Sequence, residues 1–297
     1  MTREPLRNRA EWDANTAREM DLPPLPEKLP IPVVDSHCHL DIEDGDNFLS
    51  PQEALARATE VGVNRIVQVG VDVPSSKWSR DLAHSLPGIL AAVAIHPNEA
   101  PRIASERGLS ALEADIAEIE ALASDVRVRA IGETGLDFFR TDDSGRESQL
   151  FSFEEHLRIA KTHNKAVMIH DRDAHREVVE TLLRVGAPEK VIFHCFSGDA
   201  WLASIAAEHG WYCSFAGTVT FKNAKNVREG LAVLPLENIL VETDAPFLTP
   251  EPFRGRPNSS YLIPHTMRFM AEAKGIELAR LCQAVSDNSE RVFGTFD

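Results

Sequence analysis

Cysteine is scarce in this sequence, and no two cysteines are close together. The four are Cys38, Cys195, Cys213 and Cys282, and none belongs to a CxxC pair. This spacing argues against a zinc knuckle or a disulfide framework and indicates reduced thiols. Most of them fall in predicted strands, where a small buried apolar side chain is the ordinary interpretation of a cysteine.

Long apolar runs are also missing. The longest, such as residues 89–95, has the length of a strand, whereas a membrane helix needs about 20 apolar residues. Residues 1–5 open no apolar segment of the kind found in a secretory signal. We therefore expect a cytoplasmic protein without a membrane segment, and nothing in the sequence indicates an obligate protein partner.

Positive charge is in short supply. The chain has 31 Lys and Arg residues against 46 Asp and Glu residues, which gives a formal net charge of −15. Such a surface repels nucleic acid over most of its area, and a broad basic groove is absent. A polyanionic substrate would have to be held locally, by metal ions and a few arginines.

Eight short runs rich in apolar residues alternate with amphipathic helical patterns in the 297-residue chain. Eight strand–helix units over about 250 residues predict an α/β fold, a (β/α)8 TIM barrel, in a single domain over residues 33–297. A doubly wound sheet is the alternative, but it would need a glycine-rich phosphate turn, and GxGxxG is absent. The runs are residues 33–40, 65–70, 89–97, 128–137, 166–172, 191–198, 211–217 and 239–246.

The two ends of the chain differ from this repeating pattern. Residues 1–32 are charged and then punctuated by proline, which predicts an extension on the surface of the barrel. Residues 261–293 contain two further helical patterns, which we expect to close and cap the barrel.

Side chains of the metal-ligand type lie near the ends of five predicted strands. His37 and His39 are two apart on one strand and therefore point to the same face. In a TIM barrel the carboxyl ends of the strands carry the active site, so the whole set is expected to converge. The set is His37, His39, Glu133, His170, His194 and Asp244.

Such a set suits two divalent ions about 3.5–4 Å apart, bridged by a carboxylate and a water. Mixed imidazole and carboxylate ligands favour Mg, Mn, Zn or Fe over Cu(I). Cys38 and Cys195 alternate with these histidines, so we expect both to face the helices and neither to be a ligand.

Five motifs in this sequence resemble those of the TatD family of metal-dependent deoxyribonucleases, in the amidohydrolase superfamily. The resemblance covers about residues 33–293. The motifs are VDSHCHLD at 34–41, AIGETGLD at 130–137, MIHDRDA at 168–174, HCFSG at 194–198 and ETDAP at 242–246.

The resemblance implies one ion held by His37, His39, Glu133 and Asp244, and a second held by Glu133, His170 and His194, with Glu133 as the bridge. It also implies hydrolysis of DNA phosphodiesters, often from the 3′ end of single strands and with Mg²⁺. Some relatives are assigned as deacylases of D-aminoacyl-tRNA, so hydrolysis of an ester or amide remains an alternative. A metal-binding protein without catalytic turnover is a third alternative.

Catalytic and substrate-binding roles follow from the same reasoning. Asp244 and Glu133 are the expected catalytic carboxylates, with Asp244 taking the proton of the attacking water. We expect His96, Arg172 and Arg254 to seat the DNA backbone.

Each of these three residues has an ordinary alternative. His96 could support a ligand by a hydrogen bond, Arg172 could pair with a neighbouring aspartate, and Arg254 could be a solvated loop charge. Asn98 stands where the family commonly has a second histidine, which puts a phosphate contact there in doubt. Glu242 shares the face of Asp244 one layer deeper and should support the site from behind.

Overall fold

The computed structural model describes residues 6–9, 20–45 and 48–296. Its main sheet has eight parallel strands whose order in space follows their order in the chain. The strands are β1 (Val33–Cys38), β2 (Val63–Val69), β3 (Ile89–Val93), β4 (Val128–Asp137), β5 (Ala166–Arg172), β6 (Val191–Phe193), β7 (Tyr212–Phe215) and β8 (Ile239–Val241).

The sheet closes between its first and last strands. The backbone N–H of Asp244 donates to the His37 carbonyl at 3.0 Å, and that of His39 donates to the Ala245 carbonyl at 2.8 Å. Closure leaves no open edge among the barrel strands, which is the defining feature of this architecture. The predicted (β/α)8 barrel is thus confirmed.

Helices surround the barrel and continue beyond it. The helix after β1 starts with a capping box between Ser50 and Glu53 and a proline at its first position, which are strong start signals. The helices are α1 (Pro51–Glu60), α2 (Val73–Ser85), α3 (Glu99–Arg107), α4 (Leu109–Ala123), α5 (Arg146–Thr162), α6 (His175–Val185), α7 (Ala200–Glu208), α8 (Lys225–Val233), α9 (Ile263–Lys274) and α10 (Leu278–Phe293).

Apolar side chains alternate between two layers along the strands. Val33 packs in the layer between strands and helices, whereas Val34 packs inside the barrel, as the two-residue period of a strand requires. Val292 and Phe293, at the end of α10, pack against the apolar side chains inside the barrel. The predicted capping by the carboxyl-terminal helices is therefore present.

Two strands break this alternation where they carry ligand-type residues. The pairing register shifts between Asp35 and Cys38 in β1, and between Ile131 and Thr134 in β4. Without these irregularities, strict alternation from inward-facing Val34 would turn His37 toward the helices. Bulges are common beside active sites because they re-aim a side chain.

The described part of the predicted extension lies along the barrel. The two-residue strand Arg7–Asn8 pairs in parallel with Ile42–Glu43, and the Arg7 Nε atom donates to the Asp41 carboxylate at 2.6 Å. Farther on, Leu29 is buried and its backbone N–H donates to the Val61 carbonyl. Residues 1–5 and 10–19 of the extension are outside the described residues, so its assignment as a surface element stays a prediction.

Six of the eight strands end earlier than the sequence predicts, and the difference is largest, five residues, for β6 and β8. The runs 191–198 and 239–246 were expected to be strands throughout, but β6 and β8 stop at Phe193 and Val241. Cys195 and Asp244 have φ values of 42° and 54°, in the left-handed region that a β-strand cannot contain.

None of the helices in the described part of the chain combines the length and apolarity that a bilayer crossing needs.

Candidate metal centre

The six predicted ligand-type residues meet at the carboxyl end of the barrel. The Nε2 atoms of His37 and His39 are 3.2 Å apart, and the Asp244 Oδ1 atom lies 3.6 Å and 3.5 Å from them. On the other side, His194 Nε2 and His170 Nδ1 are 3.5 Å apart. Ligand-type atoms of His37, His39 and Asp244 all lie within 4.8 Å of one another, as do those of His37, Glu133 and His194.

Glu133 stands between the two sides, and each of its oxygens faces a different pair of imidazoles. Its Oε1 atom is 3.7 Å from His37 Nε2 and 3.3 Å from His39 Nε2. Its Oε2 atom is 3.3 Å from His170 Nδ1 and 2.9 Å from His194 Nε2. A carboxylate in this position could bridge two ions.

The local backbone brings Glu133 this close because Gly132 precedes it. A Cβ atom on Gly132 would lie 2.5 Å from the Met168 Cβ and 2.6 Å from the Met168 carbonyl oxygen. Any larger residue would push β4 away from β5. The glycine therefore allows the close strand contact from which Glu133 and His170 face each other.

Hydrogen bonds on the far side of the rings fix which nitrogen faces the centre. His39 Nδ1 lies 3.1 Å from the Val69 carbonyl oxygen, and His194 Nδ1 lies 3.3 Å from Glu242 Oε1. Both partners are acceptors, so both Nδ1 atoms carry hydrogen. The Nε2 lone pairs of the neutral rings are then directed to the centre, as metal coordination requires.

The His170 ring is turned the other way, with Nδ1 rather than Nε2 toward the centre, and it too directs a lone pair there. Its Nε2 atom lies 3.2 Å from Asp137 Oδ2, which is an acceptor, and its Nδ1 atom faces Glu133. The Nδ1 lone pair is therefore the one available to an ion. For His37 the outer contact is with the Met168 sulfur at 2.9 Å, a weak acceptor. All four rings can thus direct a nitrogen lone pair to a divalent cation.

His96 differs from these four. The Asn98 backbone N–H donates to His96 Nδ1 at 3.0 Å, so the neutral ring carries its hydrogen on Nε2. That nitrogen lies 3.5 Å from Glu133 Oε2. Although His96, Glu133 and His170 form a third close group, this tautomer makes His96 a hydrogen-bond donor to the site rather than a ligand.

The charge distribution separates His96 from His39 and His194, whereas burial lowers the pKa of His37 as it does that of His96. Burial opposes a charged imidazole, yet the carboxylates of Asp244 and Glu133 outweigh it and raise the pKa of His39 to about 9. Burial likewise opposes charge on His194, but Glu133 and Glu242 hold its pKa well above the usual value. For His96, burial lowers the pKa to about 3, with neighbouring His170 acting in the same direction. His96 is therefore neutral at physiological pH.

Several buried carboxylates support the ligands. Glu242 accepts from His194 and also from the Cys195 backbone N–H at 2.8 Å, which places it behind the site as expected. Asp35 accepts from the Thr243 hydroxyl at 2.6 Å and from the Thr243 N–H at 3.0 Å. This second pair ties β1 to the segment that carries Asp244.

Asp137 is a supporting residue that the sequence reasoning missed. Besides His170, its Oδ2 atom accepts from the Asn98 side-chain amide at 3.0 Å. Its Oδ1 atom accepts from the backbone N–H groups of Phe139 and Arg140 at 3.1 and 2.9 Å. A signal was present: Asp137 lies four residues after Glu133 on one strand, which places both on the same face. Asn98, which departs from the family pattern, contacts this carboxylate.

The site opens into a cavity of about 1030 Å³. Among the described residues, those that line it include His96 and Arg172 but not Arg254. Arg254 instead lies over the Phe221 ring, 4.2 Å from its centroid. Cys195 also lines the cavity, contrary to the expected orientation toward the helices, because its positive φ turns the chain after β6. Cys38 does pack in the layer between strands and helices.

The barrel and its donor set define the class of the protein, a metal-dependent hydrolase of the (β/α)8 type. The family model described as TatD related DNase matches residues 34–294. The chain belongs to this family.

Relatives and solved structures agree with this assignment. The chain is 37% identical over 266 residues to a metal-dependent hydrolase TatD of Mycobacterium tuberculosis, covering 88% of this chain and 98% of the relative. It is also 37% identical over 261 residues to the metal-dependent hydrolase YabD of Bacillus subtilis, covering 87% and 98%. The crystal structure of the TatD homologue YjjV from Escherichia coli superposes with a TM-score of 0.79 at 27% identity, covering 89% of this chain and 98% of that one.

Proposed function

We propose that this protein hydrolyses phosphodiester bonds of DNA, mainly in single strands and from an end, with two divalent ions. The observation that carries the proposal is the position of Glu133, whose two oxygens each face a separate pair of imidazoles. Two ions bound there, Mg, Mn or Zn, would polarise the phosphoryl oxygen and lower the pKa of the attacking water.

The ligands divide into two sets on this proposal. His37, His39, Glu133 and Asp244 would hold one ion, and Glu133, His170 and His194 would hold the other. Each imidazole offers the nitrogen whose lone pair its outer hydrogen bond leaves free. Glu133 connects the sets and keeps them at a fixed separation.

Asp244 is the proposed general base. Its Oδ1 atom faces His37 and His39 at the floor of the cavity, and it is the carboxylate of the centre that does not have to bridge. It can therefore accept the proton of the water as the new P–O bond forms and the P–O bond to the departing sugar oxygen breaks, that oxygen taking up a proton from solvent. His96 offers its Nε2–H to a phosphate oxygen or to the water, and burial keeps this ring neutral.

The cations near the mouth favour a phosphodiester over a carbonyl ester. Arg172 lines the cavity just beyond His170, and its forked guanidinium matches a phosphate oxygen pair. The predicted alternative, a salt bridge to Asp171 or Asp173, is disfavoured because no carboxylate oxygen of the described residues lies within ion-pair distance of the Arg172 guanidinium, and Asp171 Oδ2 lies 2.7 Å from His175 Nδ1. Arg254 stays a predicted contact with the DNA backbone, for the part of the DNA strand that extends outside the cavity.

The test is cleavage of end-labelled single-stranded DNA by purified protein supplied with Mg²⁺, Mn²⁺ or Zn²⁺ in turn. Charged tRNA and small esters are assayed in parallel. We expect DNA to be shortened from an end and chelation to abolish the activity. Deacylation of tRNA with DNA left intact would replace the proposal with the aminoacyl-ester alternative, and binding of metal without any turnover would leave a metal-binding protein.

Asp244→Asn supplies the matched inactive variant. The amide oxygen still coordinates weakly but cannot take the proton, so turnover should fall by about 10²–10⁴-fold. Binding of single-stranded DNA should persist when metal is in excess. Turnover within a few-fold of the parent would show that another group accepts the proton.

A further inference from the structure

An aromatic ring stands exposed beside the cavity. Phe139 follows β4, and the residue is 62% exposed. The Arg172 guanidinium carbon lies 3.9 Å from the centroid of this ring, over one face. Because the residue remains largely exposed with one face covered, the opposite face of the ring is open to solvent.

The loop that carries Phe139 is firmly positioned. The Phe139 N–H donates to Asp137, the same carboxylate that contacts His170. The preceding residue, Phe138, donates its N–H to the Arg172 carbonyl at 2.9 Å. The backbone at Phe139 is therefore held at a defined place relative to the metal centre, and the Arg172 guanidinium supports the ring itself.

Arg172 is available to a ligand as well. Within residues 6–9, 20–45 and 48–296, no carboxylate lies within ion-pair distance of its guanidinium, and Phe139 is its stacking partner. Arg172 lines the cavity, so its charge faces a ligand there although the chain has a net charge of −15. Such an arginine, fixed on an aromatic ring, presents its donors to an incoming anion.

An open aromatic face next to a cation matches the repeating chemistry of a single-stranded nucleic acid. Each nucleotide has a flat base and a phosphate, and proteins that bind single strands combine aromatic stacking with positive charge. A simple carbonyl ester or an inorganic phosphate would use the cation alone. The pair of side chains therefore selects a ligand that has both features.

We propose that Phe139 binds a nucleobase by stacking, while Arg172 holds the phosphate of the same nucleotide, next to the bond that is hydrolysed. This inference rests on the proposed function and adds a substrate-positioning residue to it. Because every base has a π-face, the contact favours unpaired nucleotides without selecting a sequence. Duplex ends would have to open before they could use it.

The experiment combines a variant of the protein with a variant of the substrate. Single-stranded oligonucleotides carry one abasic nucleotide at successive positions near the cleaved end, and kcat/KM is measured for the parent and for Phe139→Ala. With the parent, an abasic nucleotide at one position should lower kcat/KM by about 5- to 150-fold, as expected for one stacked base. In Phe139→Ala the normal substrate should show a similar loss, and the abasic penalty at that position should disappear.

Three further variants sharpen the result. Phe139→Trp should retain the abasic penalty, whereas Phe139→Leu, which keeps an apolar side chain without a ring, should not. Val126→Ala is the control, because Val126 is 64% exposed but precedes β4 at the opposite end of the barrel. It should behave as the parent.

The outcomes separate this inference from the proposed function. Equal abasic penalties in the parent and in Phe139→Ala, or no penalty at any position in the parent, would overturn the stacking role while DNA cleavage stands. A parent that cleaves no DNA would refute the proposed function, and the stacking role with it.

Discussion

Replacement of Asp137 by asparagine should weaken metal binding without touching a ligand. Both carboxylate oxygens accept two hydrogen bonds: His170 and Asn98 donate to Oδ2, and the backbone N–H groups of Phe139 and Arg140 donate to Oδ1. An asparagine has only one oxygen, so its NH₂ group must face one pair of donors in either orientation.

The structure sets the size of the effect. A buried donor left without an acceptor costs about 1–3 kcal/mol. If the unpaired donor is the His170 ring, keeping that ring in its metal-binding orientation requires this free energy. Metal affinity then drops by about 5- to 150-fold, since about 1.4 kcal/mol corresponds to a factor of ten. This range matches the 10- to 100-fold loss that is typical when a residue supporting a metal-bound histidine is changed.

The assay is calorimetric titration of metal-free protein with Mn²⁺ or Zn²⁺, with circular dichroism to check the fold. Glu242→Gln is the matched control, because both hydrogen bonds to Glu242 go to the same oxygen, Oε1, which a glutamine can keep. We expect a smaller loss in this control. An Asp137→Asn protein that binds metal within two-fold of the parent would refute the reasoning and reduce Asp137 to a loop anchor.

Two other predictions concern pH and charge. Because the pKa of His39 is raised to about 9 in the metal-free protein, its stabilising charge is fully present below about pH 6.5 and is lost as the pH rises through 9. Metal must displace that proton, so affinity should increase with pH up to about 9 and binding at pH 7 should release protons, measurable by calorimetry in buffers of different ionisation enthalpy. Absence of proton release would contradict the assigned charge. Arg172→Ala should raise KM for single-stranded DNA and lower the slope of log affinity against log salt by about 0.7. Arg254→Ala should change both quantities less, because Arg254 does not line the cavity. Equal losses in the two variants would show that the two arginines act alike.

Much of the fold followed from local patterns in the sequence. The bounds of β4 and β5 agree with the predicted runs because both begin with apolar residues and end at polar residues of the site. The convergence of His37, Glu133 and Asp244 could be predicted as well, since parallel barrel strands bring their carboxyl ends together.

The remaining features depend on contacts between distant parts of the chain. The register shifts near His37 and Glu133 arise from pairing with neighbouring strands, which a period of two does not reveal. The tautomer of His170 depends on Asp137 of another strand, that of His96 on the local turn that brings the Asn98 N–H onto its ring, and the position of Cys195 on a backbone angle that the apolar run concealed. These features distinguish a ligand from a supporting residue, and sequence spacing alone could not supply them.

The closure of the barrel has a consequence for protein synthesis. The hydrogen bonds that Asp35 accepts from Thr243 join residues 208 positions apart, and the last carboxylate of the centre, Asp244, follows directly. At about 5–20 residues per second, a ribosome makes the histidines of β1 roughly 10–40 s before it makes Asp244. A nascent chain therefore carries an incomplete set of ligands, and the full set forms only when nearly the whole barrel is available to close.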